Sequence, residues 1–346
     1  MKYAIHTFGC RVNQADSFEI EECLRAGGAL AAPADEADVV VVNTCTVTGA
    51  ADQGARTLIR RIARRNASAR IIVTGCYATR APEALASMPG VVRLVANDGK
   101  AQLLKDLCGQ GEGDGPCGTH IEPGVGGRTA YSLRVQTGCE EPCAFCVIPS
   151  TRGPSRSRLL PDVLADVDRL AAAGYRELWL VGVHLGSYGR DLAPSSSFIE
   201  LLRALDTAAG DVSFRISSLE PMDCRPEVVD LLETSGRFAP HLHLPLQHGS
   251  DRVLAAMRRP YSVEHCRQLV DDIRARLPHA SIGIDVIAGF PGETEADAEE
   301  SERAVEAMPL SYLHVFPSSD RPGTAAAVMT PRVAPGLVKA RAARLR

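Results

Sequence analysis

Residues 131–146 read YSLRVQTGCEEPCAFC, an alternating apolar run that passes directly into three cysteines spaced C-x₃-C-x₂-C. The run has the period-two pattern of a half-buried strand. The cysteines therefore fall on the loop that leaves the strand's carboxyl end, the edge where α/β folds carry their functional loops. Thiolates are soft ligands, suited to zinc or to iron–sulfur clusters. A closed zinc site takes a fourth ligand, normally from a second C-x₂-C or a His pair at characteristic spacing. The next cysteine is Cys224, and His184 lies a whole strand-and-helix unit away. Three cysteines on one tight loop instead suit three irons of a 4Fe–4S cube, leaving the fourth iron open to a substrate or cofactor. A zinc loop, or plain core cysteines, is the bland alternative.

Working outward, strand-like stretches recur at residues 177–181, 212–217, 241–244, 281–287 and 311–316, separated by helical stretches such as 163–173 and 262–276. With the run at 131–136 these make six βα units, which predicts an open, partial (β/α)₆ barrel. Upstream, residues 3–95 show the same alternation: strand-like 3–9, DVVVVN at 38–43 and RIIVT at 70–74, with helical stretches at 16–26 and 53–65. A continuous apolar run such as DVVVVN is the mark of a parallel strand buried on both faces. The fold class expected is α/β, with a small N-terminal doubly wound parallel sheet followed by the partial barrel. Residues 109–128, GQGEGDGPCGTHIEPGVGGR, are rich in Gly and Pro and lack an apolar period, as a linker does. The expected divisions are therefore 1–108, a linker at 109–128, a core at 129–320 and a tail at 321–346. The stretch 331–346 carries Arg332, Lys339, Arg341, Arg344 and Arg346 without an acid, and predicts a short basic helix.

Composition narrows the class. A net charge of −4 over 346 residues gives no global attraction to nucleic acid, so any such contact must rest on a local patch. Neither a basic leader with a long apolar stretch nor a run of about 18 apolar residues is visible, so a cytoplasmic protein free of membrane is expected. There thiols stay reduced, and eleven cysteines call for metal or cluster ligation rather than disulfides.

A second trio lies in the first domain. Cys10 ends FGC, Cys45 ends NTC and Cys76 ends TGC, each just past a predicted strand. The carboxyl ends of parallel strands share one edge, so topology gathers three thiols distant in sequence. A second cluster with a free iron is the reading; small buried residues are the alternative. Cys23 and Cys266 fall on apolar helical stripes and read as core, Cys108 and Cys117 border or occupy the linker, and Cys224 sits in a loop.

The C-x₃-C-x₂-C loop, with Phe145 before its last cysteine, resembles the signature of the radical S-adenosylmethionine (SAM) enzymes. With both trios, the chain resembles the methylthiotransferase family over nearly its full length. The matching stretches are GCRVNQADS, NTCTVTGAAD, GCEEPCAFCVIPSTRG, GVHLGSYG, SSLEP, HLHLPLQHGSD, DVIAGFPGET and HVFPSSDRPGTAA. GCRVNQ makes it most similar to the tRNA threonylcarbamoyladenosine branch; the isopentenyladenosine branch tends to GC-x-MN and the ribosomal-protein branch to GC-x-KN. The resemblance implies a cluster on Cys139, Cys143 and Cys146 that reduces SAM to a 5′-deoxyadenosyl radical, which takes hydrogen from carbon 2 of an adenine. It implies a second 4Fe–4S cluster on Cys10, Cys45 and Cys76 that presents sulfur, with a second SAM supplying the methyl group. The hard chemistry is the cofactors', so no side chain is named as general acid or base.

By motif position the resemblance also implies cofactor contacts at Phe145, at Gly182 and Gly186 in GVHLGSYG, and at Ile287 and Gly289 in DVIAGFPGE, with Glu220 and Arg152 as polar contacts in the cavity. It implies tRNA as partner, a flavodoxin- or ferredoxin-type electron donor and a monomer. Relatives normally continue into a small β-rich RNA-binding domain, and this sequence stops in the segment leading to it. Thr137 stands where relatives often have Asp, and Ser318 replaces a frequent Tyr. Two basic patches are candidate RNA contacts: Arg56, Arg60 and Arg64 at i, i+4 and i+8 on one helical stripe, and Arg152 with Arg156 after the cysteine loop. Rival readings are the same chemistry on isopentenyladenosine or on an aspartate of a ribosomal protein, or a non-catalytic zinc or iron–sulfur RNA-binding module.

Overall fold

The computed structural model describes residues 1–108, 123 and 129–346; nearly all of the expected linker at 109–128, Cys117 included, lies outside the described residues. The first domain runs β1 (Lys2–Thr7), α1 (Arg11–Ala26), β2 (Leu30–Ala31), β3 (Val39–Thr44), α2 (Gly49–Arg65), β4 (Arg70–Gly75), α3 (Cys76–Arg80), α4 (Glu83–Ala86), β5 (Val91–Val95) and α5 (Lys100–Leu107). Its strands pair in parallel in the order β2-β1-β3-β4-β5. Every residue of β3 is buried, because apolar clusters press on both faces of the sheet. One cluster brings Ala55, Leu58, Ile59 and Ile62 of α2 against Val40 and Val42; the other brings Ile20 and Leu24 of α1 against Val39 and Val41. The order reverses at β1 and β3, and β1, β3 and β4 lie side by side. Their carboxyl ends therefore share one short stretch of edge.

The second domain continues with β6 (Ala130–Arg134), β7 (Gln136–Thr137), α6 (Ile148–Arg152), β8 (Arg156–Ser157), α7 (Leu160–Ala172), β9 (Glu177–Val181), α8 (Phe198–Asp206), β10 (Ser213–Ile216) and α9 (Pro226–Thr234). It ends with β11 (His241–His243), α10 (Asp251–Ala256), α11 (Val263–Arg276), β12 (Ser281–Ala288), α12 (Glu295–Glu306), β13 (Tyr312–Pro317) and α13 (Pro335–Arg344). Two three-stranded parallel sheets, β10-β9-β6 and β11-β12-β13, are joined by bridges at Phe214–Phe238 and Ser218–His243. The six strands thus follow chain order in one curved, open sheet. The small hairpin of β7 and β8 was not expected from the sequence. It ties the two ends of the cysteine loop together, Gln136 opposite Ser157 and Thr137 opposite Arg156.

Strand alternation sorts the side chains. Leu178, Leu180, Phe214, Ile216, Leu242, Leu244, Ile282, Ile284 and Val286 join the helices in one core. Their neighbours Trp179, Arg215, His243 and Asp285 turn to the concave side. The first domain lies across the open side of this barrel. At one end Arg134 holds both carboxylate oxygens of Glu19 at 2.8 Å, and Tyr131 donates to Glu22 at 2.9 Å. At the other, Gly49 donates to Ser319 at 3.0 Å and Arg321 pairs with Asp52 at 2.8 Å. No helix among the described residues is long and apolar enough to cross a membrane.

Cys23 and Cys108 depart from the expectation of reduced thiols, since both are disulfide-bonded. Packing of α5 on α1 carries the end of α5, and Cys108 with it, alongside the first helix. Cys224 and Cys266 are buried in the barrel core, in keeping with a packing role.

Candidate functional site

The first trio forms at the shared strand edge. Cys10 caps the start of α1, Cys45 follows β3 and Cys76 opens α3; all three are free thiols. Gly75 makes the turn from β4 into Cys76 at φ +96°, where a Cβ would lie 2.3 Å from the Thr44 carbonyl oxygen. Only a residue without a side chain lets β3 and β4 end this close together. Cys45 is buried, and burial, with Cys10 and Cys76 nearby, pushes its thiol up to about 12. Neighbouring thiols that resist ionising become good ligands once a cation takes their protons' place. Asn97 reaches the Cys76 sulfur at 3.5 Å.

The second trio rides on the loop between β7 and α6. Gly138 turns it at φ +76°, with no room for a Cβ beside the Pro154 carbonyl. Cys139, Cys143 and Cys146 are free, and burial pushes Cys146 up to about 12. The loop is pinned by Cys139 N–H to Gly153 O at 3.0 Å and Ala144 N–H to Met257 O at 3.0 Å. Burial raises the Cys143 thiol as well, but the Arg259 guanidinium, donating to its sulfur at 3.0 Å, works in the opposite direction. Arg259 also donates to Tyr261 at 2.8 Å and pairs with Glu220. Glu220 is thus tied to the cluster loop through Arg259, rather than facing the cavity as an unengaged carboxylate.

His184 is nearer the second trio than its distance in sequence implies. Pairing of β6 with β9 sets their following loops side by side, so His184 Nδ1 lies 4.0 Å from Cys139 Sγ. Its Nε2 is 2.7 Å from Asp223 Oδ2. Burial alone would lower its pKa; the Asp223 hydrogen bond and the Cys139 sulfur outweigh it and lift it to about 10. Gly186 backs directly onto Asp223, leaving no space for a side chain, and Gly182 likewise abuts Leu185. The GVHLGSYG turn therefore positions the His184–Asp223 pair beside the cysteine loop. Phe145 and Ile287 pack around the same apolar cluster, with Met257 and Phe290 at its centre. Gly289, at the end of β12, donates its N–H to Glu293 at 2.6 Å, and Val338 of α13 covers the place its side chain would take.

Arg152 corrects an expectation. It is 5% exposed, and its guanidinium donates to Asn13 at 2.6 Å, Asp16 at 2.8 Å and Thr137 at 3.2 Å. It feels the charges of Cys76 and Cys10, and its guanidinium is spent on protein partners rather than offered on the surface to a phosphate. Its surroundings fixed this role: three polar acceptors from two domains converge on it. Arg56 is half-buried and donates to Tyr77 Oη at 2.5 Å. Arg60, Arg61, Arg64 and Arg65 are exposed along the outer face of α2, and Arg156 is exposed on β8.

The concave side of the barrel gathers residues to which the sequence reading gave no role; Arg11, His241, His243, Asp285 and His314 fall within the matching stretches, and Trp179, Arg215 and Tyr312 outside them. Arg11, next to Cys10, stacks on Trp179 with its guanidinium carbon 3.3 Å from the ring centre; Arg215 approaches the same ring at 4.9 Å. His241 and His243 hydrogen-bond the Tyr312 hydroxyl at 3.0 and 3.1 Å. His243 Nε2 meets Asp285 at 2.9 Å and His314 Nδ1 meets it at 3.1 Å. These donor atoms lie within 4.8 Å of one another, and each already serves this hydrogen-bonded chain. For Trp179, Arg215 and Tyr312 the signal in the sequence was period-two alternation, which marks a face without telling a cavity wall from a solvated one.

Two trios of thiols, each with three cysteines and no fourth among the described residues, fit two 4Fe–4S clusters with one open iron apiece. The comparisons agree. Residues 2–97 match the uncharacterized protein family UPF0004, and residues 133–305 match the radical SAM superfamily. The chain is 38% identical over 344 residues to threonylcarbamoyladenosine tRNA methylthiotransferase MtaB of Bacillus subtilis (strain 168), covering 95% of this chain and 76% of that one. It is 35% identical to the tRNA-2-methylthio-N(6)-dimethylallyladenosine synthase of Clavibacter michiganensis, covering 99% and 68%. In fold it resembles the radical SAM methyltransferase TsrM of Kitasatospora setae, with a TM-score of 0.64 at 17% identity over 94% of this chain and 75% of that one. The chain belongs to the radical SAM methylthiotransferase family.

Proposed function

We propose that the protein inserts a methylthio group at carbon 2 of threonylcarbamoyladenosine beside the anticodon of tRNA. The observation that carries this reading is the pair of cysteine trios joined through Arg152, which feels Cys10 and Cys76 and donates to Thr137 at the start of the other cysteine loop. Cys139, Cys143 and Cys146 would hold the cluster that binds SAM, and Cys10, Cys45 and Cys76 the auxiliary one. Together these groups supply homolytic C–H cleavage and a sulfur atom, which acid–base side chains do not provide. The chain's own residues bind, orient and shield. Arg259 donates to a ligand sulfur, and hydrogen bonds to cluster sulfurs tune their potential. The His184–Asp223 pair, beside Cys139, would help to shape the place where SAM binds. Arg152 and Asp16 fix the spacing of the two halves.

The choice of threonylcarbamoyladenosine follows the similarity to the Bacillus enzyme. Arg60 and Arg64, exposed on α2, would meet tRNA phosphates in this reading. In this reading the enzyme works in the cytoplasm as a monomer and draws electrons from a flavodoxin- or ferredoxin-type donor. Mass spectrometry of tRNA nucleosides from cells with and without the gene tests it. Loss of the 2-methylthio mark from threonylcarbamoyladenosine is expected; loss of the mark from dimethylallyladenosine instead would reject the substrate.

A further inference from the structure

We propose that Arg11 and Arg215, both held against the Trp179 indole, form the subsite that receives the carboxylate of the substrate's N6 substituent. This rests on the reading above: a threonine joined through a carbonyl to N6 carries a carboxylate at neutral pH, whereas a dimethylallyl group carries none. The placement comes first. Arg11 is the residue after Cys10, so this guanidinium reaches from the auxiliary trio into the barrel. Trp179, on β9, and Arg215, on β10, sit on strands paired in register, with Arg215 opposite Trp179. A group bound here therefore lies on the concave wall, one residue from the first trio.

The chemistry follows from how a guanidinium stacks. A guanidinium covers a ring with its flat face and keeps its N–H groups in the plane, so that Arg215 can meet a carboxylate from the edge while Arg11 adds a second positive charge beside it. Arg215 commits Nε to Glu177 at 2.7 Å, and its two terminal nitrogens make no hydrogen bond among the described residues. Those two nitrogens are the fork that grips a carboxylate bidentately. The surrounding wall adds little competing charge. His241, edge-on to Trp179 at 5.7 Å, is kept neutral because burial and then Arg215 push its pKa down to about 4. The His241, Tyr312 and His243 rings present flat surfaces, with Tyr312 stacked on both histidines, as a purine's neighbour requires. The nearest anion on the wall beyond Glu177, Asp285, is engaged by His243 and His314.

A phosphate of the tRNA backbone offers similar chemistry, so the experiment must separate the two anions. Holoenzyme with both clusters rebuilt is assayed for kcat/KM on two anticodon stem-loops, one carrying threonylcarbamoyladenosine and one carrying its methyl ester. Wild type is expected to prefer the acid by at least about tenfold, the scale of one charge-assisted bidentate contact. Arg215→Met is expected to erase that preference by raising KM for the acid, with the ester little changed, and Arg11→Met to weaken it. Arg215→Lys, which keeps charge but not the fork, should retain part of it, and carries the test if the methionine variant does not hold its iron. Equal use of acid and ester by wild type overturns the subsite. So does an equal loss on both substrates in the variants, the pattern expected of a phosphate contact or of a purely structural role. Wild type that ignores both stem-loops but modifies a dimethylallyl one rejects the substrate reading itself, and the subsite with it.

Discussion

Glu22 shows what burial does to one carboxyl group. It is 6% exposed at the boundary between the domains, accepts from Tyr131 at 2.9 Å and lies 3.8 Å from Arg169. Burial outweighs both partners and lifts its pKa to about 7. The folded protein therefore holds a proton that the unfolded chain releases in the ordinary carboxylate range. Stability falls as pH rises through that window, and the loss is complete above about pH 7. Glu22→Gln removes the charge that burial penalises. Its melting temperature should match wild type near pH 4 and exceed it near pH 8, by a gap worth about 1–3 kcal/mol; thermal unfolding at both pH values checks it, and a gap that does not grow with pH refutes it. Arg259 makes a second case at this scale. Arg259→Met strips the only charged donor from the Cys143 sulfur among the described residues and leaves Glu220 without its cation. Cluster reduction should become harder, and dithionite-driven SAM cleavage should drop by about tenfold or more. A variant that cleaves SAM at the wild-type rate would show that this hydrogen bond does not set the potential.

Turns between elements place the cysteines of both trios, and here the sequence was most legible. Gly-Cys at residues 9–10, 75–76 and 138–139 ends a strand each time, and each glycine has positive φ. A β-strand pattern followed by Gly-Cys could be read without coordinates, because the strand period and the glycine turn are both local. Gly75→Ala tests the device: its methyl group would meet the Thr44 carbonyl, in a conformation that alanine resists. The variant should lose about 3 kcal/mol or more of stability and bind about four fewer irons per chain, the auxiliary cluster's share. Iron analysis and SAM cleavage together check it, since on the proposed assignment cleavage belongs to the other trio and should persist. The alternation of six strands was equally plain, and so was the parallel sheet before them. What stayed hidden was set by distance. Arg152 read both as a polar contact in the cavity and as an RNA contact, and its partners Asn13 and Asp16 stayed hidden because they lie more than a hundred residues away. His184 read as remote because only strand pairing brings β6 and β9 together. Trp179 and Arg215 had no motif, since residues lining a cavity share their period with residues facing water, and Arg11 lay in GCRVNQ without a role of its own.

The whole molecule depends on holding two cofactor sites at one spacing, and one buried carboxylate joins three of the elements involved. Asp16 on α1 is 2% exposed and meets three cations: Lys100 of its own domain, Arg134 of β6 at 3.0 Å and Arg152 of α6 at 2.8 Å. Burial by itself would raise its pKa, but the three cations together hold it well below the usual carboxylate range. It is therefore ionised at any pH where the enzyme works, and the contact is not a pH switch. Arg134 and Arg152 sit on either side of the cysteine loop, so Asp16 clamps α1, which begins at Cys10, to the segment that carries Cys139, Cys143 and Cys146. Asp16→Asn keeps the shape and removes the charge, leaving three cations packed without their common anion. Breaking a buried pair in this way costs about 3–5 kcal/mol. That cost falls on the interface, because each domain keeps its own core. The variant should still hold both clusters and cleave SAM, yet convert less of that cleavage into methylthiolated nucleoside, because the sulfur and the radical no longer meet at a fixed distance. The ratio of 5′-deoxyadenosine to product, near wild type in an exposed control such as Glu36→Gln, is expected to rise several-fold. If Asp16→Asn lowers both in step, the clamp acts on folding alone, and the coupling of the two sites lies elsewhere.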